Sequence, residues 1–133
     1  MRKTLFRGKS VYNNQWTHGD LMHSWAKADS NEIYIRSMDN YAHMIIEIKP
    51  ETLGQYIGLY DKNGEKIFEG DICDCNDTVN HYLAKVVKDI ANPDFVLAFK
   101  NKFGYEDTEY DFVKCGNMSI KVIGKLYDNP ELV

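Results

Sequence analysis

At 133 residues, with a net charge of −4 and 44% hydrophobic residues, the chain is long enough for one domain and too rich in core formers for disorder. No apolar run approaches the roughly 20 residues of a membrane-spanning helix, and no apolar stretch follows the basic first residues as in a signal peptide. Three cysteines, an odd number, fit a reducing compartment better than a disulfide framework. We therefore expect a cytoplasmic protein with no membrane partner.

The first third of the chain predicts short strands. Residues 5–11 and 16–22 are aromatic runs on either side of an Asn-Asn turn, which predicts a first hairpin. Residues 23–29 are too few for a helix prediction, whereas residues 33–36 and 43–48 are strand candidates. Pro50 suits the first position of a single helical turn over residues 50–53.

The central stretch carries the strongest folding signal. Two apolar-aromatic runs, residues 56–60 and 66–68, flank Asp61-Lys62-Asn63-Gly64. Asn-Gly between such runs predicts a hairpin with a primed turn, because both residues tolerate a positive φ. Gly70-Asp71 then bends the chain into a strand over residues 72–75.

The remainder of the chain predicts further strands. They cover residues 82–88, 95–100, 103–113 and 118–127, separated by Gly, Asn and Pro. Many short strands without a long segment of 3.6-residue period predict a mainly-β protein, a small barrel or roll.

Three blocks of sequence resemble a known family. They are Phe6-Arg7-Gly8-Lys9 with Gln15-Trp16 and Gly19; residues 48–59 with 61–64 and 68–72; and Val122-Ile123-Gly124 with Tyr127-Asp128-Asn129-Pro130-Glu131-Leu132. Together they resemble the YopX family of bacteriophage and prophage proteins. The resemblance implies an SH3-like β-barrel or roll over residues 50–133, preceded by an N-terminal strand region over residues 1–49. It also implies a phage-encoded accessory protein in the cytoplasm of the bacterial host, and it implies no reaction.

The cysteines raise the question of a metal site. Cys73 and Cys75 lie on one face of a strand, and with His81 and Cys115 they contain the ligand types of a Cys₃His zinc site. The spacing does not suit a zinc knuckle, in which two or more residues separate the paired cysteines. Cysteine is also a small hydrophobe, and valine-like residues usually stand at these two positions in the family. We predict buried thiols, no metal and no cofactor.

Acid–base catalysis has little support. His18 and Asp20 are two residues apart, but no nucleophile has a recognisable motif and the other histidines are scattered singly. The glycines match no phosphate-binding loop and are explained by turns and bends. We expect the protein not to be an enzyme.

An acidic-aromatic segment is the first candidate binding site. It contributes Phe103, Tyr105, Glu106, Asp107 and Glu109, with no basic residue among them. Such a segment repels phosphate, whereas tyrosine beside carboxylates suits a protein partner with a basic rim. The leading hypothesis is a protein-binding module for a host or phage protein.

A basic-aromatic cluster is the alternative. Arg2, Lys3, Arg7 and Lys9, with Trp16, form a stretch suited to phosphate contacts and base stacking. A solvated basic strand explains the same pattern, and the net negative charge weakly disfavours nucleic acid. Self-association into a homo-oligomer is left open.

Overall fold

The computed structural model describes residues 5–22, 32–39, 43–76, 81–88, 95–99, 108–111 and 119–133. These residues are mainly β, which confirms the predicted class. They form the following strands: β1 (Phe6–Lys9), β2 (Trp16–Met22), β3 (Ile33–Ser37), β4 (Ile45–Ile48), β5 (Gly54–Tyr60), β6 (Lys66–Phe68), β7 (Asp71–Asn76), β8 (His81–Lys88), β9 (Phe95–Phe99), β10 (Thr108–Asp111) and β11 (Ser119–Lys125). Two short 3₁₀ turns, Pro50–Thr52 and Pro130–Leu132, complete the described structure. No helix in these ranges is long and apolar enough to cross a membrane.

The strands form two antiparallel sheets. One has the order β4-β3-β2-β1-β5-β6 and the other the order β10-β9-β8-β7-β11. Within the residues that the structure describes, neither sheet closes into a barrel, so the coarse mainly-β prediction holds while a closed SH3-like barrel is not shown. The chain divides into two units, Met1–Tyr56 and Ile57–Val133, and β5 runs across the division.

The first unit is built on close backbone packing at two glycines. A Cβ atom on Gly8 would lie 2.0 Å from Cγ2 of Ile48, and one on Gly19 would lie 1.9 Å from the carbonyl oxygen of Arg36. Ile35 and Ile48 are fully buried. Gly19 is therefore required by packing, because a side chain there would meet the backbone of β3, whereas a side chain on Gly8 would require the Ile48 side chain to move.

The turn after β4 is tied to β1 by a buried threonine. Thr52 accepts a hydrogen bond from the Lys9 amide (2.8 Å) and donates one to the Lys49 carbonyl (2.6 Å). Ser10 and Ile48 also form an antiparallel bridge, and the Lys49 amide donates to the Lys9 carbonyl (2.9 Å). The turn predicted at residues 50–53 is confirmed, and Thr52 explains why it lies against β1.

The described residues of the second unit share a hydrophobic core. It is formed by the buried residues Ile57, Ile67, Cys73, Cys75, Ala84, Val86 and Leu97. Alternate residues of β7 and β8 supply most of it, as the two-residue period of a strand requires. Cys73 and Cys75 are 0% exposed, which confirms the prediction of buried thiols at these two positions. Cys115 lies outside the described residues.

The central hairpin forms as predicted, but its turn differs. The Asp61 amide donates to the Glu65 carbonyl (2.7 Å), and the Gly64 amide donates to the Asp61 carbonyl (3.1 Å). Gly64 has a φ of +81°, whereas Asn63 does not have a positive φ. A type I′ turn needs φ > 0 at both central residues and a type II′ turn needs it at the first, here Asn63, so the prediction of a primed turn was wrong. The observed loop has three residues, with glycine at its left-handed position.

Candidate functional site

Of the five residues predicted in the acidic-aromatic segment, the structure describes one. Glu109 lies in β10, where its backbone is in register with Ala98 of β9. The remaining members, Phe103, Tyr105, Glu106 and Asp107, lie outside the described residues. The structure thus places the end of the predicted site on an outermost strand of the five-stranded sheet.

The two edges of that sheet differ. At the β11 edge the Lys62 amide donates to the Ile120 carbonyl (2.9 Å), and the Val122 amide donates to Oδ2 of Asp61 (2.9 Å). The three-residue loop of the central hairpin therefore occupies backbone groups of β11. Of the residues that the structure describes, only those of β9 pair with β10. The backbone amide and carbonyl groups of an outermost strand can pair with an extended chain.

Asp61 is the residue that blocks the β11 edge. Its Oδ1 accepts hydrogen bonds from the amides of Asn63 (2.8 Å) and Glu65 (2.9 Å), while its Oδ2 accepts from Val122. Burial alone raises the pKa of Asp61, but the three backbone N–H groups outweigh burial and, with the nearby positive charge of Lys121, hold the pKa below the ordinary 3.8. Asp61 is therefore a buried anion that fixes a turn onto a strand.

The basic-aromatic cluster is partly assembled. The guanidinium carbon of Arg7 lies 4.9 Å from the ring centroid of Trp16, and Nζ of Lys9 lies 5.7 Å from it. Both distances allow cation–π attraction. Arg7 is only 4% exposed, so its charge is packed inside the first unit. Arg2 and Lys3 lie outside the described residues.

The histidine of the candidate acid–base pair has another partner. Oδ2 of Asp39 accepts a hydrogen bond from the His18 amide (2.9 Å) and lies 3.3 Å from the ring Nδ1 of His18. Asp20 instead lies opposite Arg36 in the β2–β3 register. The structure thus pairs His18 with an acid 21 residues away, on an exposed surface.

Tyr34 on the same sheet is held in its protonated form. Its hydroxyl donates a hydrogen bond to Oε2 of Glu32 (2.8 Å). That hydrogen bond, together with partial desolvation and the negative charges of Glu32 and Glu47, raises the pKa of Tyr34 to about 12. The phenol is therefore unsuited to proton transfer near neutral pH.

The candidate zinc ligands do not converge where they are described. Cys73 and Cys75 point into the core, whereas His81 is exposed and its Nε2 contacts Oδ1 of Asp74. In the described part of the chain, no three His, Cys, Asp or Glu side chains are grouped as metal ligands would be.

The fold and the sequence blocks define the class of this protein. The YopX protein family matches residues 5–133, so the chain belongs to that family. The crystal structure of protein EF1440 from Enterococcus faecalis is similar, with a TM-score of 0.55, 22% sequence identity and 99% of each chain covered. At that identity the similarity concerns the fold alone. No curated protein matches the chain.

Proposed function

We propose that this YopX-family chain is a phage-encoded, non-enzymatic module that binds a host or phage protein by strand addition at β10. The observation that carries this proposal is the asymmetry of the five-stranded sheet. One edge is blocked by Asp61 and the loop around it, whereas β10 pairs only with β9 among the described residues. Proteins usually protect both edges against unwanted pairing, so an outermost strand that no other described residue pairs with is a candidate docking strand.

The acidic residues around β10 favour a partner of opposite charge. Residues 103–113 contain Glu106, Asp107, Glu109 and Asp111 and no Lys or Arg. Complementary charge directs association and excludes wrong partners, so the added strand is expected to carry Lys or Arg. A phosphate backbone is repelled by the same carboxylates.

The packing of the basic side chains argues against the nucleic-acid alternative. Arg7 is nearly inaccessible, and both Arg7 and Lys9 lie over the Trp16 ring that base stacking requires. A phosphate or a base must therefore compete with cation–π contacts inside the cluster. We retain this alternative as an outcome of the experiment below.

The arrangement of the C-terminal strands supports a finer fold proposal. β7 to β10 follow one another across the sheet, β11 returns beside β7, and the loop after β5 hydrogen-bonds to β11. We propose that these strands belong to an SH3-like roll, a topology that a crystal structure of the chain will support or reject.

Affinity capture from lysate of a bacterial host, with and without nuclease, tests the binding proposal. The variant Glu109→Lys with Asp111→Lys should lose a captured protein at least tenfold, because it places like charges beside a basic strand. Glu65→Lys with Glu131→Lys is the matched control, since it changes the net charge equally at two exposed positions. Capture that nuclease abolishes, or that the folded β10 variant retains, contradicts the proposal.

A further inference from the structure

The five-stranded sheet carries a cavity on the face opposite its core. Strand alternation places Ala84 and Val86 of β8 in the core and His81, Leu83 and Lys85 on the other face. The cavity has a volume of about 390 Å³. It is lined by His81, Tyr82, Leu83, Lys85, Ala98, Leu132 and Val133, of which Tyr82 also packs against the core. All of these residues belong to the second unit.

One wall of the cavity is held in place by the last sequence block of the family. The Asn129 amide donates to the Lys125 carbonyl (2.7 Å), and Oδ1 of Asn129 accepts from the Lys125 amide (3.2 Å). The Leu132 amide donates to the Asn129 carbonyl (3.1 Å). A Cβ atom on Gly124 would lie 2.8 Å from Oδ1 of Asn129 and 3.1 Å from Cδ1 of Leu132. Glycine at this position thus lets the Leu132 wall lie directly against β11.

The lining combines apolar side chains with one lysine and one histidine. Leu83, Ala98 and Leu132 are apolar, and Leu83 is 40% exposed although it lies in the middle of a strand. Lys85 and His81 flank Leu83 on the same face, and the His81 ring contacts the Asp74 carboxylate. Ligand pockets typically combine mostly apolar walls with a few polar groups and have volumes of about 300–1,000 Å³.

From this geometry we propose that the cavity binds a small amphipathic carboxylate, whose apolar body lies on Leu83 and Leu132 and whose anionic head faces Lys85. The volume, at the lower end of the usual range, suits a single aromatic ring or a medium-length aliphatic chain. The proposal does not depend on strand addition at β10, because the cavity is lined by β8, β9 and the C-terminal turn. Its failure would leave the binding role of β10 intact.

Titration of the isotope-labelled full chain with sodium octanoate, followed by NMR, tests this inference. We expect saturable one-to-one shifts of the Leu83 and Leu132 methyl signals. Neutral octanol, the matched control ligand, should bind at least tenfold more weakly. Absence of saturable shifts at these methyls, or equal affinity for octanol, would overturn the proposal.

Two variants locate the ligand within the cavity. Lys85→Met should weaken octanoate binding at least fivefold, and Ala98→Leu should abolish it by filling the cavity. Lys121→Met is the matched control, since Lys121 of β11 is not a lining residue, and it should stay within twofold of the wild type. Unchanged affinity in both cavity variants would overturn the assignment.

Discussion

Replacing Asp61 by Asn should destabilise the second unit by about 2–4 kcal/mol. The carboxylate is 7% exposed and accepts three backbone hydrogen bonds at 2.8–2.9 Å. An amide retains one acceptor oxygen and turns an N–H₂ group toward one of the three donors. A hydrogen bond to a charged group contributes about 1.5–3 kcal/mol, and the remaining bonds weaken once the charge is lost. The hydrogen bond from the Val122 amide, 61 residues away in the sequence, is expected to weaken most.

Urea unfolding followed by circular dichroism measures this loss. Both tryptophans, Trp16 and Trp25, come before residue 57 in the sequence, where the second unit begins, so their fluorescence is not a direct probe of that unit. With a typical slope of about 1–3 kcal/mol per molar urea, the midpoint should fall by roughly 1 M or more. Glu65→Gln, an exposed change directly after the same loop, is the control and should stay within about 0.5 kcal/mol of the wild type. Equal midpoints for the Asp61→Asn variant and this control would refute the reasoning.

The lowered pKa of Asp61 also predicts how its contribution to stability changes with pH. The folded-state pKa of Asp61 is below the ordinary 3.8, so the folded protein binds this proton more weakly than the unfolded chain does. The contribution of Asp61 is therefore fully present above the unfolded pKa and is lost as the pH falls through the folded pKa. The stability difference between the wild type and Asp61→Asn should be largest at neutral pH and shrink below pH 3.8.

Three further changes test the packing. Gly64→Val should cost about 1–3 kcal/mol through backbone strain alone, because nothing lies within 4 Å of a Cβ there, and Gly64→Asn should cost less than half as much in thermal unfolding. Gly19→Ala should destabilise the first unit more than Gly8→Ala in unfolding followed by tryptophan fluorescence. The new methyl group at position 19 meets a backbone oxygen, whereas the one at position 8 meets a side chain. A larger loss of stability in Gly8→Ala would contradict this packing. The native chain should react quickly with at most one equivalent of a thiol reagent, because Cys73 and Cys75 are buried, and the unfolded chain should react with three. Three fast equivalents in the native state would contradict this prediction.

Local sequence signals determined most of the strand pattern. The first hairpin, the turn at Pro50 and the central hairpin all lie where alternation, proline and Asn-Gly predicted them. Predicted strand ends differ by one or two residues in most cases. Within the long segment over residues 103–113, the structure describes a strand only at Thr108–Asp111. Local patterns are informative here because strand periodicity and turn chemistry act over a few residues.

The contacts that the sequence did not predict join residues that are far apart in the chain. Asp61 precedes a turn, and its sequence neighbours give no sign that it accepts a hydrogen bond from Val122. The same holds for Thr52 and the Lys9 amide, which are 43 residues apart. The burial of Arg7 against Trp16 also requires the β1–β2 register. Such contacts are set by tertiary packing, which a single sequence does not display.

Hydrogen exchange on the complex with a captured partner tests the central claim most directly. Strand addition at β10 predicts that amides in Thr108–Asp111 gain protection on binding, because new backbone hydrogen bonds form along that edge. Amides of β11, whose edge already receives Lys62 and Asp61, should exchange at an unchanged rate. Protection gained in Phe6–Lys9 and Trp16–Met22, with none in β10, would contradict the account and place the partner on the basic-aromatic cluster.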